Sequence, residues 1–279
     1  MKLFDEQSST ADRPSALLFG LPFDAIRMDE AVDRCRMALE TRQSLMIGVL
    51  NAAKIVNLRG DDQLRSAILD CDLMLADGQS VVWASRLLGN ALPERVAGID
   101  LFEELLGLAH RQGRRIFLLG AKPAVLDALK KEIKRRWPRV QIVGAQDGYF
   151  AESQAAAIAD QIRDSRADML FLGMPSPKKE IFLQRFRHHL HVPVLHGVGG
   201  SFDVLAGLTR RAPRIWQKLG LEWAYRLLQE PSRLWRRYLV TNTAFVVMTI
   251  AEMIRPGSSL PTGSRQHPRP SVSHLHNQK

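Results

Sequence analysis

The side chains best placed for chemistry sit in short segments that follow apolar runs. Asp77, in Leu75-Ala76-Asp77-Gly78, stands between such a run and the residue type that tolerates any turn. A carboxylate at the carboxyl end of a buried strand is held rigidly and faces the crevice where ligands of α/β sheets bind, the position of a general base. The plainer alternative is a turn aspartate that caps a helix starting near Gln79. Gly197-Val198-Gly199-Gly200-Ser201-Phe202-Asp203 is a glycine-rich strand exit whose backbone N–H groups can hold phosphate oxygens, although a tight turn explains it equally well. Its spacing is not that of G-x-G-x-x-G, because Phe202 stands where the third glycine belongs, and the chain has no Gly-Lys-Ser/Thr. Nicotinamide oxidoreductases and P-loop nucleotidases are thereby disfavoured.

Gly173-Met174-Pro175-Ser176-Pro177-Lys178-Lys179-Glu180 enters a helix, with Ser176 suited to cap it, Pro177 to its first position and Glu180 to its first turn. Capping alone explains this segment, but its two lysines add positive charge at the same edge. Glu94-Arg95-Val96-Ala97-Gly98-Ile99-Asp100 is a loop between helices with Arg95 among small residues. Near the C-terminus, Arg226, Arg233 and Arg237 are seven and four residues apart and fall within about 20° of one line on a continuous helix. Arg236 flanks that line, with Trp216, Trp223, Trp235 and Tyr238 nearby. Such a face suits the boundary of an anionic membrane, where aromatics favour the interface and arginines the head groups. The alternative is a solvated basic face whose tryptophans pack on the core. No nucleic-acid motif accompanies the charge, so no nucleic-acid partner is expected.

The elements that position these groups follow from periodicity. Apolar runs at 44–50, 72–76, 115–120, 140–145, 168–173 and 192–200 have the length of buried strands. Helical patterns lie between them at 61–70, 79–88, 101–112, 124–136, 152–165 and 178–190. Strands alternating with helices predict an α/β fold, a mainly parallel Rossmann-like sheet flanked by helices. From 211 to 254 two helical stretches joined at Glu230-Pro231 form a basic appendage. The expected division is an N-terminal arm (1–16), a core (17–208), a membrane-associating appendage (209–254) and a disordered tail (255–279) rich in Pro and Ser.

Charge follows the same division. The 279 residues carry a net charge of +10. From Leu208 onward, twelve basic residues face three acidic ones, against 27 and 26 before it. Two cysteines, Cys35 and Cys71, are too few for a disulfide framework, which points to a reducing compartment. The polar N-terminus lacks the apolar core of a secretory signal. The apolar run 238–254, interrupted by Thr241, Asn242, Thr243, Thr249 and Glu252, is shorter than the ~20 residues of a spanning helix and reads as surface-lying or packed, with a spanning segment as the alternative. Asp70-Cys71-Asp72 is the sole D-x-D and enters a strand rather than leaving one, so neither metal nor cofactor is expected.

Five segments in order, Leu50-Asn51-Ala52-Ala53-Lys54, Ala76-Asp77-Gly78, Arg95-Val96-Ala97-Gly98-Ile99-Asp100, Ser176-Pro177-Lys178-Lys179-Glu180 and Gly199-Gly200-Ser201-Phe202-Asp203 with Arg211-Ala212-Pro213, resemble the signature of the WecG/TagA/CpsF glycosyltransferases over about Leu17 to Arg237. The resemblance implies an inverting transferase. Its donor would be a UDP-sugar and its acceptor a polyprenyl-diphosphate-linked glycan, at the cytoplasmic membrane face, in cell-surface or exopolysaccharide assembly. It also implies Asp77 as general base and Arg95 as the cation facing the departing UDP. Asn51, Gly199, Gly200 and Asp203 would line the nucleotide-sugar pocket, with Lys179 and Glu180 beside them, and Arg226, Arg233 and Arg236 would belong to an appendage closing the site. Val49 stands where many members have Thr, and Lys179 where many have Gln. These departures leave the donor open, with Lys179 able to pair with a uronic carboxylate. A homo-oligomer is compatible with the resemblance. The rival from another class is a non-catalytic protein that binds nucleotide or polyanion through the same loop and basic helix.

Overall fold

The structure, a computed structural model, describes residues 15–254. A hairpin of β1 (Ser15–Leu18) and β2 (Leu21–Asp24) is followed by α1 (Met28–Thr41). The main sheet contains β3 (Leu45–Leu50), β4 (Leu73–Ala76), β5 (Arg115–Gly120), β6 (Gln141–Gln146), β7 (Met169–Gly173) and β8 (Val194–Gly197). Their order is β4-β3-β8-β7-β5-β6, with every neighbouring pair parallel. All six apolar runs therefore form strands, and the α/β reading holds.

The connections are helical: α2 (Ala52–Asn57), α3 (Asp62–Leu69), α4 (Gln79–Leu87), α5 (Gly98–Gln112), α6 (Pro123–Arg136), α7 (Ala155–Asp164), α8 (Lys178–Leu190) and α9 (Ser201–Leu205). Successive strand residues point to opposite faces, and each face has its own core. Ile47 and Val49 pack with Leu101, Phe102 and Leu105 of α5 on one side. Met46, Leu170 and Leu195 pack with Ile158 of α7 and Phe182 of α8 on the other. The β1–β2 hairpin and α1, absent from the sequence reading, are tied to the sheet by buried Asp24. Its carboxylate accepts from Arg34 Nη1 at 3.0 Å and from the Met74 amide at 2.8 Å.

The C-terminal region forms three helices rather than two: α10 (Arg214–Lys218), α11 (Glu222–Gln229) and α12 (Pro231–Ile254). Glu230 (φ −135°, ψ 61°) separates the last two, because Pro231 suits a first helical position and not an interior one. Arg226 thus lies on α11, Arg233 and Arg237 on α12, and the single arginine line expected across them does not form. The Arg233 side chain lies outside the described residues.

Nor is α12 detached from the core. Leu234, Phe245 and Met248 are buried, with the Phe245 ring 5.4 Å from that of Phe19. Phe245 and Met248 share a core with Ile55 of α2 and the hairpin. Among the described residues no helix is long and apolar enough to cross a membrane. The expected tail and the first 14 residues of the expected arm lie outside the described residues, and β1 begins at Ser15.

Candidate active site

In a parallel sheet every strand delivers its next residue to the same edge. At this carboxyl edge β3 is followed by Asn51, β4 by Asp77, and β8 by the glycine turn. β4, β3 and β8 are neighbours, so residues far apart in sequence converge. The Asp77 amide donates to Leu50 O at 2.9 Å, which locks the two strand ends together.

Asp77 does not cap α4: that role falls to Gly78, and no side chain bonds the helix start. Its Oδ1 instead accepts the Gly98 amide at 2.9 Å, the first residue of α5. The preceding loop is pinned to β4 by the Val96 amide on Ala76 O, also at 2.9 Å. A strand end and a helix N-terminus therefore fix this carboxylate, and Oδ2 takes no hydrogen bond from the described residues. Gly98 packs closely on β3: a Cβ there would lie 3.3 Å from Val49, which would have to shift by a few tenths of an ångström.

Arg95 is mostly buried and held by two carboxylates, Glu222 of α11 and, at 3.5 Å, Asp100 of α5. Arg211 completes the group, with Nη1 2.6 Å from Asp100 Oδ1 and Nε 3.7 Å from Glu222 Oε1. Further along α11, Arg226 covers the glycine turn: its Nη2 is 3.1 Å from where a Gly200 Cβ would stand. The appendage therefore touches both the Arg95 loop and the glycine turn.

The glycine turn is less open to phosphate than its sequence suggests. The Val198 and Gly199 amides both donate to Leu172 O, at 2.9 and 3.0 Å, and the Ser201 amide donates to Val198 O. Gly199 sits at φ 54°, in the left-handed region that favours glycine. Asp203 lies in the first turn of α9. Asn51 caps α2 through an Oδ1 bond from the Lys54 amide at 3.0 Å, and its Cβ packs beside Gly78. Arg236 stays exposed, stacked on Trp235 with its guanidinium carbon 5.6 Å from the ring centroid.

Lys179 and Glu180 differ most from expectation. Ser176 does not cap α8; a cis Ser176–Pro177 bond leads into it, with Pro177 at the cap position. Both residues are then buried beneath the edge. Glu180 Oε1 accepts Lys179 Nζ at 2.7 Å and Lys54 Nζ at 2.9 Å, and Lys54 also donates to Val49 O. Burial, the largest influence, and the nearby Lys54 charge lower the Lys179 pKa to about 8, against the opposing pull of Glu180 and Asp77. For Glu180 burial alone would raise the pKa, but Lys54 and Lys179 together bring it to about 2. The Lys179 stem passes under Gly197, where a Cβ would meet it at 3.0 Å. Lys179 thus neutralises Glu180 instead of presenting a free ammonium to a substrate.

Four contributors escaped the sequence reading, among them Glu222, which holds Arg95 from α11. His196, one residue before Gly197, is fully buried with Nε2 3.0 Å from Gly98 O, and burial lowers its pKa to about 4. A histidine inside an otherwise apolar strand was the available signal. Lys54 lies within the quoted Leu50–Lys54 motif, three residues after Asn51, and Arg211 within Arg211-Ala212-Pro213, yet neither carries a mark that separates it from a surface cation. A hollow of about 750 Å³ lined by basic Arg42, Arg115, Arg163, Arg166 and His191 together with Asp164 and Asp168 opens at the amino ends of the strands, away from all of these groups. The chemistry-bearing residues are gathered at the other end.

Among the described residues no three His, Cys, Asp or Glu side chains form a metal-binding cluster. A family model for the glycosyl transferases of the WecG/TagA/CpsF family matches residues 16–259, from the hairpin past the end of α12. The match takes in the sheet edge that holds Asp77, the Arg95 loop and the appendage resting on it, and on that ground the chain belongs to the WecG/TagA/CpsF glycosyltransferase family.

Proposed function

We propose that this glycosyltransferase inverts the anomeric centre of a UDP-sugar as it transfers the sugar to a polyprenyl-diphosphate-linked glycan, in bacterial cell-surface or exopolysaccharide assembly. The observation that carries the reading is the Asp77 carboxylate, held through Oδ1 by the Gly98 amide with Oδ2 left for a substrate hydroxyl. Asp77 takes the proton of the acceptor hydroxyl as its oxygen attacks the sugar carbon from the face opposite the nucleotide. Arg95 faces the diphosphate and balances the charge that grows there as the bond to the sugar breaks. Gly199, Gly200, Asp203 and Asn51 border the donor, and Arg226 lies over the same turn. The buried Lys54–Glu180–Lys179 group supports the floor of the site, a positioning role.

Cationic side chains supply the countercharge for the leaving diphosphate, so transfer proceeds without a divalent cation. The enzyme works at the cytoplasmic face of an anionic membrane, on which the exposed side of α12 rests. The decisive experiment is a UDP-release screen across several UDP-sugars with a short lipid-diphosphate acceptor, run with and without EDTA. Acceptor-dependent release that survives EDTA supports the reading. Release restored only by magnesium or manganese would show that a cation balances the diphosphate, and nucleotide binding with no release for any donor would favour a non-catalytic binding protein.

A further inference from the structure

Arg95, Arg211, Asp100 and Glu222 form a closed group of two guanidinium ions and two carboxylates at the mouth of the site. Asp100 belongs to the first turn of α5, a 15-residue helix seated in the core, and moves only with it. Glu222 opens the eight-residue α11, none of whose residues is buried. The two carboxylates therefore differ in how readily they can leave. Arg211 is also incompletely served: its Nε and Nη2 are shielded from solvent without a hydrogen-bond acceptor. Buried donors of this kind favour an incoming group that brings more acceptor oxygens than a carboxylate does.

We propose that Arg95 and Arg211 together form the diphosphate site and that Glu222 occupies it in the free enzyme, so that a nucleoside diphosphate enters by exchanging with the Glu222 carboxylate. This rests on the reading that Arg95 faces the diphosphate. Guanidinium forks hold carboxylate and phosphate oxygens in the same planar geometry, so one can replace the other on both arginines. A diphosphate carries more negative charge than Glu222 and supplies acceptors for the unserved Arg211 donors. Arg226 lies four residues beyond Glu222, on the same side of α11 and over Gly200. Release of Glu222 therefore frees α11 to re-seat Arg226 against the bound nucleotide, and the exchange reports occupancy to the appendage.

A competing internal carboxylate lowers apparent affinity by the fraction of molecules in which it is bound. UDP and uridine titrations of the full chain by calorimetry read that fraction. In Glu222→Ala, UDP should bind about fivefold or more tightly than in the wild type, with uridine unchanged because it carries no phosphate. Arg211→Ala should weaken UDP binding about tenfold and remain weak in the Glu222→Ala background, with Arg211→Lys intermediate and used alone if the alanine variant melts early. Trp223, beside Glu222 and packed on Tyr238 at 5.8 Å, supplies an independent signal. UDP should change tryptophan emission in the wild type and much less in Trp223→Phe or Glu222→Ala. If Arg95→Ala weakens UDP while Glu222→Ala binds it like the wild type, the exchange is refuted and the Arg95 reading stands. If Arg95→Ala leaves UDP affinity unchanged, the Arg95 reading itself fails and the exchange with it.

Discussion

A carboxylate acts as a base only when held where its proton donor will arrive, and Asp77 is held by one backbone amide with one oxygen to spare. In Asp77→Asn the amide oxygen can still accept from Gly98, so the fold and UDP binding should persist while turnover falls by roughly 10²–10⁴-fold. UDP release under saturating donor measures this, and near-normal turnover would remove Asp77 from the mechanism. The buried groups below it make a second, thermodynamic prediction. Folding lowers the His196 pKa from 6.5 to about 4, so the unfolded chain binds more protons between those values and stability falls as the pH is lowered through them. Glu180, lowered from 4.5 to about 2, removes further stability over that lower window. The thermal midpoint should decline below pH 6.5 and more steeply below 4.5. A variant carrying His196→Gln should show a flatter profile between pH 6.5 and 4, and an unchanged slope would mean that His196 does not titrate as its burial requires.

At the scale of elements, the edge is built by close approach of strand ends. Gly120 closes β5 at φ 127°, and a Cβ there would lie 2.6 Å from the Gly173 backbone at the end of β7. Backbone cannot swing aside as a side chain can. Gly120→Ala should therefore destabilise the protein by about 3 kcal/mol or more, combining a disfavoured φ with an overpacked contact, as chemical denaturation would measure. A loss under about 1 kcal/mol would show that the two strand ends separate easily. The arginines share no single line because Glu230 and Pro231 separate α11 from α12, and helical spacing holds on each side of that break but not across it.

At the scale of the whole molecule, α12 presents two unlike sides. Leu234, Phe245 and Met248 face the core, while Trp235, Leu239, Val246, Ile250 and Met253 are exposed and fall within an arc of about 60°. Arg236 lies at the start of the same helix, about 40° beyond that arc, and is exposed. Such a surface suits an anionic bilayer, with each basic residue near it adding ~1 kcal/mol, screened by salt. Removing the appendage would be a poor test, since it would uncover Phe19 and Ile55. Exposed residues serve better: Leu239→Glu with Val246→Glu should abolish sedimentation with anionic liposomes, and Arg236→Glu should weaken it, most at low salt. Unchanged sedimentation of both variants would defeat the membrane reading.

The sequence by itself determined the local parts. Alternating strand and helix patterns lie within windows of about ten residues, where side-chain period and backbone propensity act, so all six sheet strands and most core helices were legible. The turn glycine at 199 and the helix break before Pro231 were legible for the same reason. Asp77 stood out because it follows a strand end, whereas Arg95, in a loop between helices, was marked only by the ordered motifs of the family. The tertiary structure alone decided strand order, and with it which ends meet. It also decided that Lys179 turns inward to Glu180 and that Arg95 is held by Glu222. Lys54 and Glu180 are 126 residues apart, Arg95 and Glu222 are 127, and in neither pair does local sequence favour the contact. Buried charges choose partners by desolvation, which exists only once the sheet has closed around them.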